Sequence, residues 1–151
     1  MRKYIYFLIA GFFAGLLYSS YSFAALGDHS NSIAIEAQVF SGSRKIRNSG
    51  NHNVHEISTN NGSIKEYVNA DGVVFAVSWI GIIDPDLSVL LGSYFSEYDS
   101  ARSALVQQKG RHPISITTSN IIVLKGGHMR SRFGKAYIPT LIPDGIRPED
   151  L

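Results

Sequence analysis

The sequence has no cysteine. That excludes disulfides, thiolate metal sites and a cysteine nucleophile, and it leaves packing alone to hold the fold. It has one tryptophan, two methionines and five prolines. No hydrophobic run reaches the roughly 20 residues that a spanning helix needs. Between Ser100 and Pro143 there is no acid at all. The G-x-S-x-G elbow, the Walker loop and the dinucleotide fingerprint are all missing, which removes the usual sequence grounds for naming an enzyme class.

What is there begins with Arg2 and Lys3, followed by an uncharged run from Tyr4 to Tyr18 centred on Phe7, Leu8, Ile9, Phe12, Phe13, Leu16 and Leu17. Ser22 and Ala24 then supply a small-x-small exit. An h-region of about 7–15 residues between a positive start and small residues is the pattern of a cleavable export signal. We expect a leader over 1–24, cut after Ala24, and one domain over 25–151 in the periplasm or secreted medium. The alternative is an uncleaved membrane anchor. Without a cysteine after the h-region, a lipoprotein is excluded.

The whole chain carries 14 Lys+Arg and 12 Asp+Glu. Loss of Arg2 and Lys3 with the leader brings the mature chain to neutrality, which removes the main reason to expect nucleic acid as a partner. The distribution is uneven. Glu56, Glu66, Asp71, Asp84, Asp86, Glu97 and Asp99 face Lys65 alone between Asn51 and Asp99. Arg102, Lys109, Arg111, Lys125, Arg130, Arg132 and Lys135 fill the acid-free stretch that follows. Two readings fit: the halves interleave their charges on one surface, or the C-terminal half offers a basic face to an acidic protein, an anionic lipid or a polyanionic glycan.

Along the chain, Ser30 to Phe40 reads as a short helix, and the Ser-, Gly- and Asn-rich stretch 41–53 as a flexible loop. A β-meander follows: Val54 to Ser58, Ser63 to Asn69 and Val73 to Trp79. Asn61-Gly62 and Asp71-Gly72 are hairpin turn signals. Counting from two-residue turns pairs Thr59 with Ile64, Ile57 with Glu66 and His55 with Val68; Val68 then faces Phe75, Glu66 faces Val77 and Ile64 faces Trp79. One face carries Ile57, Ile64, Val68, Phe75, Val77 and Trp79, with His55 and Glu66 in its middle. The other face, with Glu56, Lys65, Tyr67, Ala76 and Ser78, suits water. Asp84 and Pro85 read as the N-cap and first position of a helix whose apolar stripe is Leu87, Leu90, Leu91, Tyr94, Phe95 and Tyr98. Ile114 to Thr118 and Asn120 to Lys125 read as strands, Gly126-Gly127 as a turn, and His128 to Phe133 as the return. The Pro-containing tail, 139–151, should be irregular. The expected fold is α+β: an antiparallel meander extended by a C-terminal hairpin and packed by two helices.

Glu66-Tyr67-Val68, the run Gly72 to Trp79, Leu90 to Phe95, Gly126 to Arg130 and Gly134 to Pro139 together resemble a family of exported proteobacterial proteins, the domain of unknown function twenty-eight forty-four. The resemblance covers nearly all of the mature chain, outside Ser41 to Asn53. It implies a Gram-negative envelope or secreted setting and supplies no activity, substrate or catalytic residue.

The residues themselves leave a short set of candidates. His55-Glu56 opens like H-E-x-x-H, but Thr59 stands where the second histidine belongs, and the segment reads as a strand rather than a helix. His52 and His55 fall on opposite strand faces. His55 and Glu66, diagonal neighbours on an apolar face, are the candidate acid–base couple; the plainer alternative is a satisfied core pair. His128, Arg130 and Arg132 form a candidate anion-binding row, or else a charged edge that discourages aggregation. Trp79, Tyr94, Phe95 and Tyr98 read as core. No metal site and no cofactor are expected. Three functions stay open: a non-enzymatic envelope binding or accessory module, a small periplasmic hydrolase or isomerase using His55 and Glu66, and a membrane-anchored structural subunit.

Overall fold

The computed structural model describes residues 25–30, 40–105 and 113–151. The expected leader over 1–24 and the stretch 31–39 of the expected first helix lie outside the described residues. Seven strands form one antiparallel sheet in the order β1-β2-β3-β4-β7-β6-β5. They are β1 (Ser43–Asn48), β2 (Asn53–Thr59), β3 (Gly62–Val68), β4 (Val74–Gly81), β5 (Ile114–Thr117), β6 (Ile122–His128) and β7 (Ser131–Tyr137). Between β4 and β5 come α1 (Leu87–Leu91), a 3-10 turn (Gly92–Tyr94) and α2 (Phe95–Ala104). The fold is α+β, as expected.

Ser41 to Asn53, expected to be a loop, contains β1. This strand pairs with β2 from Ser43↔Ser58 to Asn48↔Asn53, although every one of its side chains is exposed. Ladder hydrogen bonds, not burial, make it a strand, and no hydrophobic alternation marks such a segment in sequence. Arg44, Lys45 and Arg47 along it suit an edge that must not recruit another chain.

The β2–β3 register differs from the count by two residues. The turn is Asn60-Asn61, Thr59 faces Gly62, Ile57 faces Ile64 and His55 faces Glu66. Thr59 fixes the turn: its hydroxyl donates to Gly62 O at 3.1 Å and accepts from Asn61 N at 3.2 Å. A slip of two preserves the facing of every side chain. The second hairpin keeps the expected pairs Ile64↔Trp79 and Glu66↔Val77, but its register shifts between Tyr67 and Val68, and Val68 faces Val74. Its loop spans Ala70–Gly72, closed by Asn69 N donating to Val73 O at 3.0 Å, with Gly72 at φ 79°. The extra β4 residue is absorbed as a bulge. Val74 therefore joins the first face, and Phe75 turns to the second.

Both faces are covered. On the first, Ile57, Ile64, Val68, Val74, Val77 and Trp79 pack with Leu90, Leu91 and Tyr98 of the helices. On the second, Tyr67, Phe75, Ala76 and Tyr137 pack under Leu141, Ile142, Ile146 and Leu151 of the tail. The tail, which includes the 3-10 turns Pro139–Leu141 and Pro148–Asp150, removes Tyr67 and Ala76 from the water they were expected to face. Asn51 Nδ2 donates to Asp144 O at 3.1 Å, and Lys135 Nζ donates to Pro148 O; both fasten the tail.

The helix cap is Asp86, not Asp84. Asp86 is extended (φ −67°, ψ 103°) and accepts from Ser88 N, whereas Asp84 is occupied by Trp79 and Lys125. The C-terminal turn also moves. β6 runs through Gly126-Gly127, and the hairpin closes at His128↔Ser131 around Met129-Arg130. Position 127 within the strand must be glycine, because Ser131 O would lie 2.0 Å from a Cβ there and φ is 113°.

β4 and β7 join the two halves of the chain, with Trp79 opposite Gly134. A Cβ at Gly134 would lie 2.3 Å from Trp79 Cζ2 and 2.9 Å from Leu124 O. Gly134→Ala should therefore cost about 1–3 kcal/mol of stability through overpacking. Urea unfolding followed by the single tryptophan's fluorescence checks this, and an unchanged midpoint would contradict the packing described.

Candidate functional site

His55 and Glu66 stand directly opposite each other on β2 and β3, on the first sheet face. His55 is 6% exposed and Glu66 0%. Arg44 reaches across from β1 and donates from Nη2 to His55 Nδ1 at 3.0 Å. A guanidinium has only donors, so Nδ1 accepts and the ring proton sits on Nε2. Burial first, and then the Arg44 charge, hold the His55 pKa below its ordinary value. The ring is thus neutral, and the carboxyl opposite it is sealed from solvent. An acid–base couple needs its reacting atoms within reach of a substrate. This closed arrangement offers a polar core row instead. Trp79 and Tyr98 are likewise buried, with Tyr94 and Phe95 packed beside them.

His52 lies across the sheet from His55. Its ring centroid is 6.0 Å from that of Tyr67 and 6.1 Å from that of Phe75. Burial lowers its pKa too. Asp84 is a polar anchor that the sequence hid. It accepts from Trp79 Nε1 at 3.1 Å and from Lys125 Nζ at 2.9 Å. Burial pushes the Asp84 pKa up, but the hydrogen bonds from Lys125 and Trp79 and the charges of Lys125 and Arg132 outweigh it, and the pKa falls below the usual carboxylate value. The signal was the lone tryptophan, because a buried indole N–H requires an acceptor.

His128, Arg130 and Arg132 do not form one strand row. His128 ends β6, Arg130 sits in the turn at φ 64°, and Arg132 faces Gly81 and Gly127 from β7. All three are exposed. Around them lie apolar side chains missed in the sequence. Met129 is 78% exposed, Phe133 50%, and Ile80, directly opposite Phe133, 59%. Ile82 and Ile83 continue the chain past the same sheet end and are exposed as well. The readable signal was the run Ile80-Gly81-Ile82-Ile83, which stays apolar after the strand's core-facing residues are spent.

Two open clefts flank this end. One, of about 420 Å³, runs over Ser63, Lys65, Ser78, Ile80, Phe133 and Lys135 on the second face. The other, of about 530 Å³, lies between Asn60, Asn61, Trp79, Ile83, Asp84 and Asp86. A third, of about 480 Å³, sits beside His52 and Tyr67. None of the three is lined by His55 or Glu66. Among the described residues no group of three or more His, Asp or Glu could hold a metal ion.

A family model described as a protein of unknown function (DUF2844) matches residues 22–151. The chain belongs to this family. No curated protein and no solved structure matches it. The DUF2844 match spans every strand and helix described above, so the buried His55–Glu66 row and the exposed sheet end are both parts of the family's domain.

Arg44→Ala should raise the His55 pKa, because it removes a positive charge and opens the ring to water. An imidazole titration followed by NMR checks this; an unchanged value would show that Arg44 does not contribute to the lowered His55 pKa. His55 takes up a proton less readily folded than unfolded, so its contribution to stability is complete above about 6.5, the unfolded value, and is lost as pH falls below it. The pH slope of the urea midpoint between about 7.5 and 5, a window set around that value, should shrink in His55→Gln.

Proposed function

We propose that the protein is exported, released from its leader after Ala24, and acts at a Gram-negative envelope as a non-enzymatic binding or accessory module. Support comes first from where polar chemistry is spent. The two side chains best suited to acid–base work, His55 and Glu66, are buried in the core. A hydrolase or isomerase built on them would have to open the first sheet face in order to work.

The carrying observation is the surface. Of the eight large apolar side chains left exposed among the described residues, five (Ile80, Ile82, Ile83, Met129 and Phe133) sit at one end of the sheet, with His128, Arg130 and Arg132 among them. Scattered exposed apolar residues need no explanation, but a concentrated group beside exposed arginines is the mark of an interaction site. The surface is built from the hydrogen-bonded β6–β7 hairpin and the end of a central strand.

Two measurements test the reading. N-terminal sequencing of the protein recovered from cells should begin at Ala25; an intact Met1 would favour the anchored subunit. The exported protein should co-sediment with isolated envelopes, and Met129→Ser combined with Ile83→Ser should release it while leaving the urea midpoint nearly unchanged, since both residues are exposed and lie outside the strands. Retention of the double variant would place the working surface elsewhere.

A further inference from the structure

From this sheet end we infer that the partner is an anionic lipid surface, an inference that rests on the binding-module reading above. Met129 and Arg130 form a two-residue turn closed by His128 and Ser131. The most exposed large apolar side chain among the described residues is therefore at the hairpin's apex, with a cation beside it. Arg132 follows within the same hairpin. Ile82 and Ile83 lie on the chain leaving β4, the strand that pairs with β7. The acids at this end are already engaged: Asp84 is bound by Lys125 at 2.9 Å, and Asp86 caps α1 through Ser88. Arg130 has no ion-pair partner among the described residues.

This combination selects between partner chemistries. A polyanionic glycan would engage the arginines and leave Met129, Ile82 and Ile83 in water. An acidic protein would need an apolar depression set beneath a negative rim. A bilayer rich in anionic headgroups has negative charge above apolar depth over its whole surface, which matches apolar side chains projecting among cations. β1 provides an internal contrast: it also carries cations, Arg44, Lys45 and Arg47, the last paired with Glu56, but its only exposed large apolar residue is Ile46.

The test is flotation of the exported protein with vesicles of phosphatidylglycerol and phosphatidylethanolamine, against vesicles of phosphatidylcholine alone. Binding is expected only to the anionic vesicles. Arg130→Ser and Arg132→Ser should each weaken it about fivefold. Met129→Ser with Ile83→Ser should weaken it at least as much, and Lys45→Ser on β1 should leave it nearly unchanged. Loss on changing β1, or indifference to Met129 and Ile83, would overturn the inference in favour of a simple polyanion contact. Absence of vesicle binding by a protein that still co-sediments with envelopes would overturn the lipid assignment and leave the binding-module reading standing. Failure of both would remove both.

Discussion

The pairing of β4 with β7 is the contact on which the rest of the molecule depends. It closes a long segment that contains both helices and β5 and β6, and such closure carries an entropic cost that only good packing offsets. The packing is specific. Trp79 occupies the space left by the missing side chain of Gly134, and Val77 and Ala136 meet in the core beside it. The same ladder brings Asp84 of the acidic half to Lys125 of the basic half. It also places Ile80 against Phe133, which creates the exposed apolar end. Stability and surface thus come from one piece of sheet geometry.

A second constraint lies at the other side of the sheet. Burying a carboxyl and an imidazole among apolar residues is costly in general. Arg44, which faces Ile57 in the ladder, reaches diagonally to His55 and ties β1 to β2, while His55 stands opposite Glu66 of β3. β1 has no buried side chain of its own, so its cross-strand contacts, Arg44 to His55 and Arg47 to Glu56 at 3.1 Å, are what distinguish one pairing from a slipped one.

Much of the fold was legible because alternation and helical periodicity report burial. The meander, the apolar helix stripe and the return hairpin all follow from Ile57, Ile64, Val77, Trp79, Leu90, Leu91 and Tyr98. What was not legible depended on local hydrogen bonds or on the tail. The Thr59 hydroxyl moved the first turn, and the Ala70–Gly72 loop sent Phe75 to the opposite face. Gly126 and Gly127 looked like a turn and are strand residues that make room for neighbours. Tyr67 and Ala76 looked solvated because the residues that cover them lie more than 60 positions away, on the order expected of non-local packing. For the site, the cations were visible and the run Ile80 to Ile83 left a trace, but exposure of Phe133 was not legible, because it is decided by where the sheet ends.

On the proposed reading, this cationic and apolar sheet end is the working surface. A chain with no cysteine allows a direct test, since Met129→Cys gives a single attachment point for an environment-sensitive fluorophore. On titration with isolated envelopes the label should move to a drier environment, with blue-shifted emission, while the same label at Lys45→Cys should remain in water. A label at 129 that stays hydrated while the label at 45 shifts would place the working surface at β1 instead.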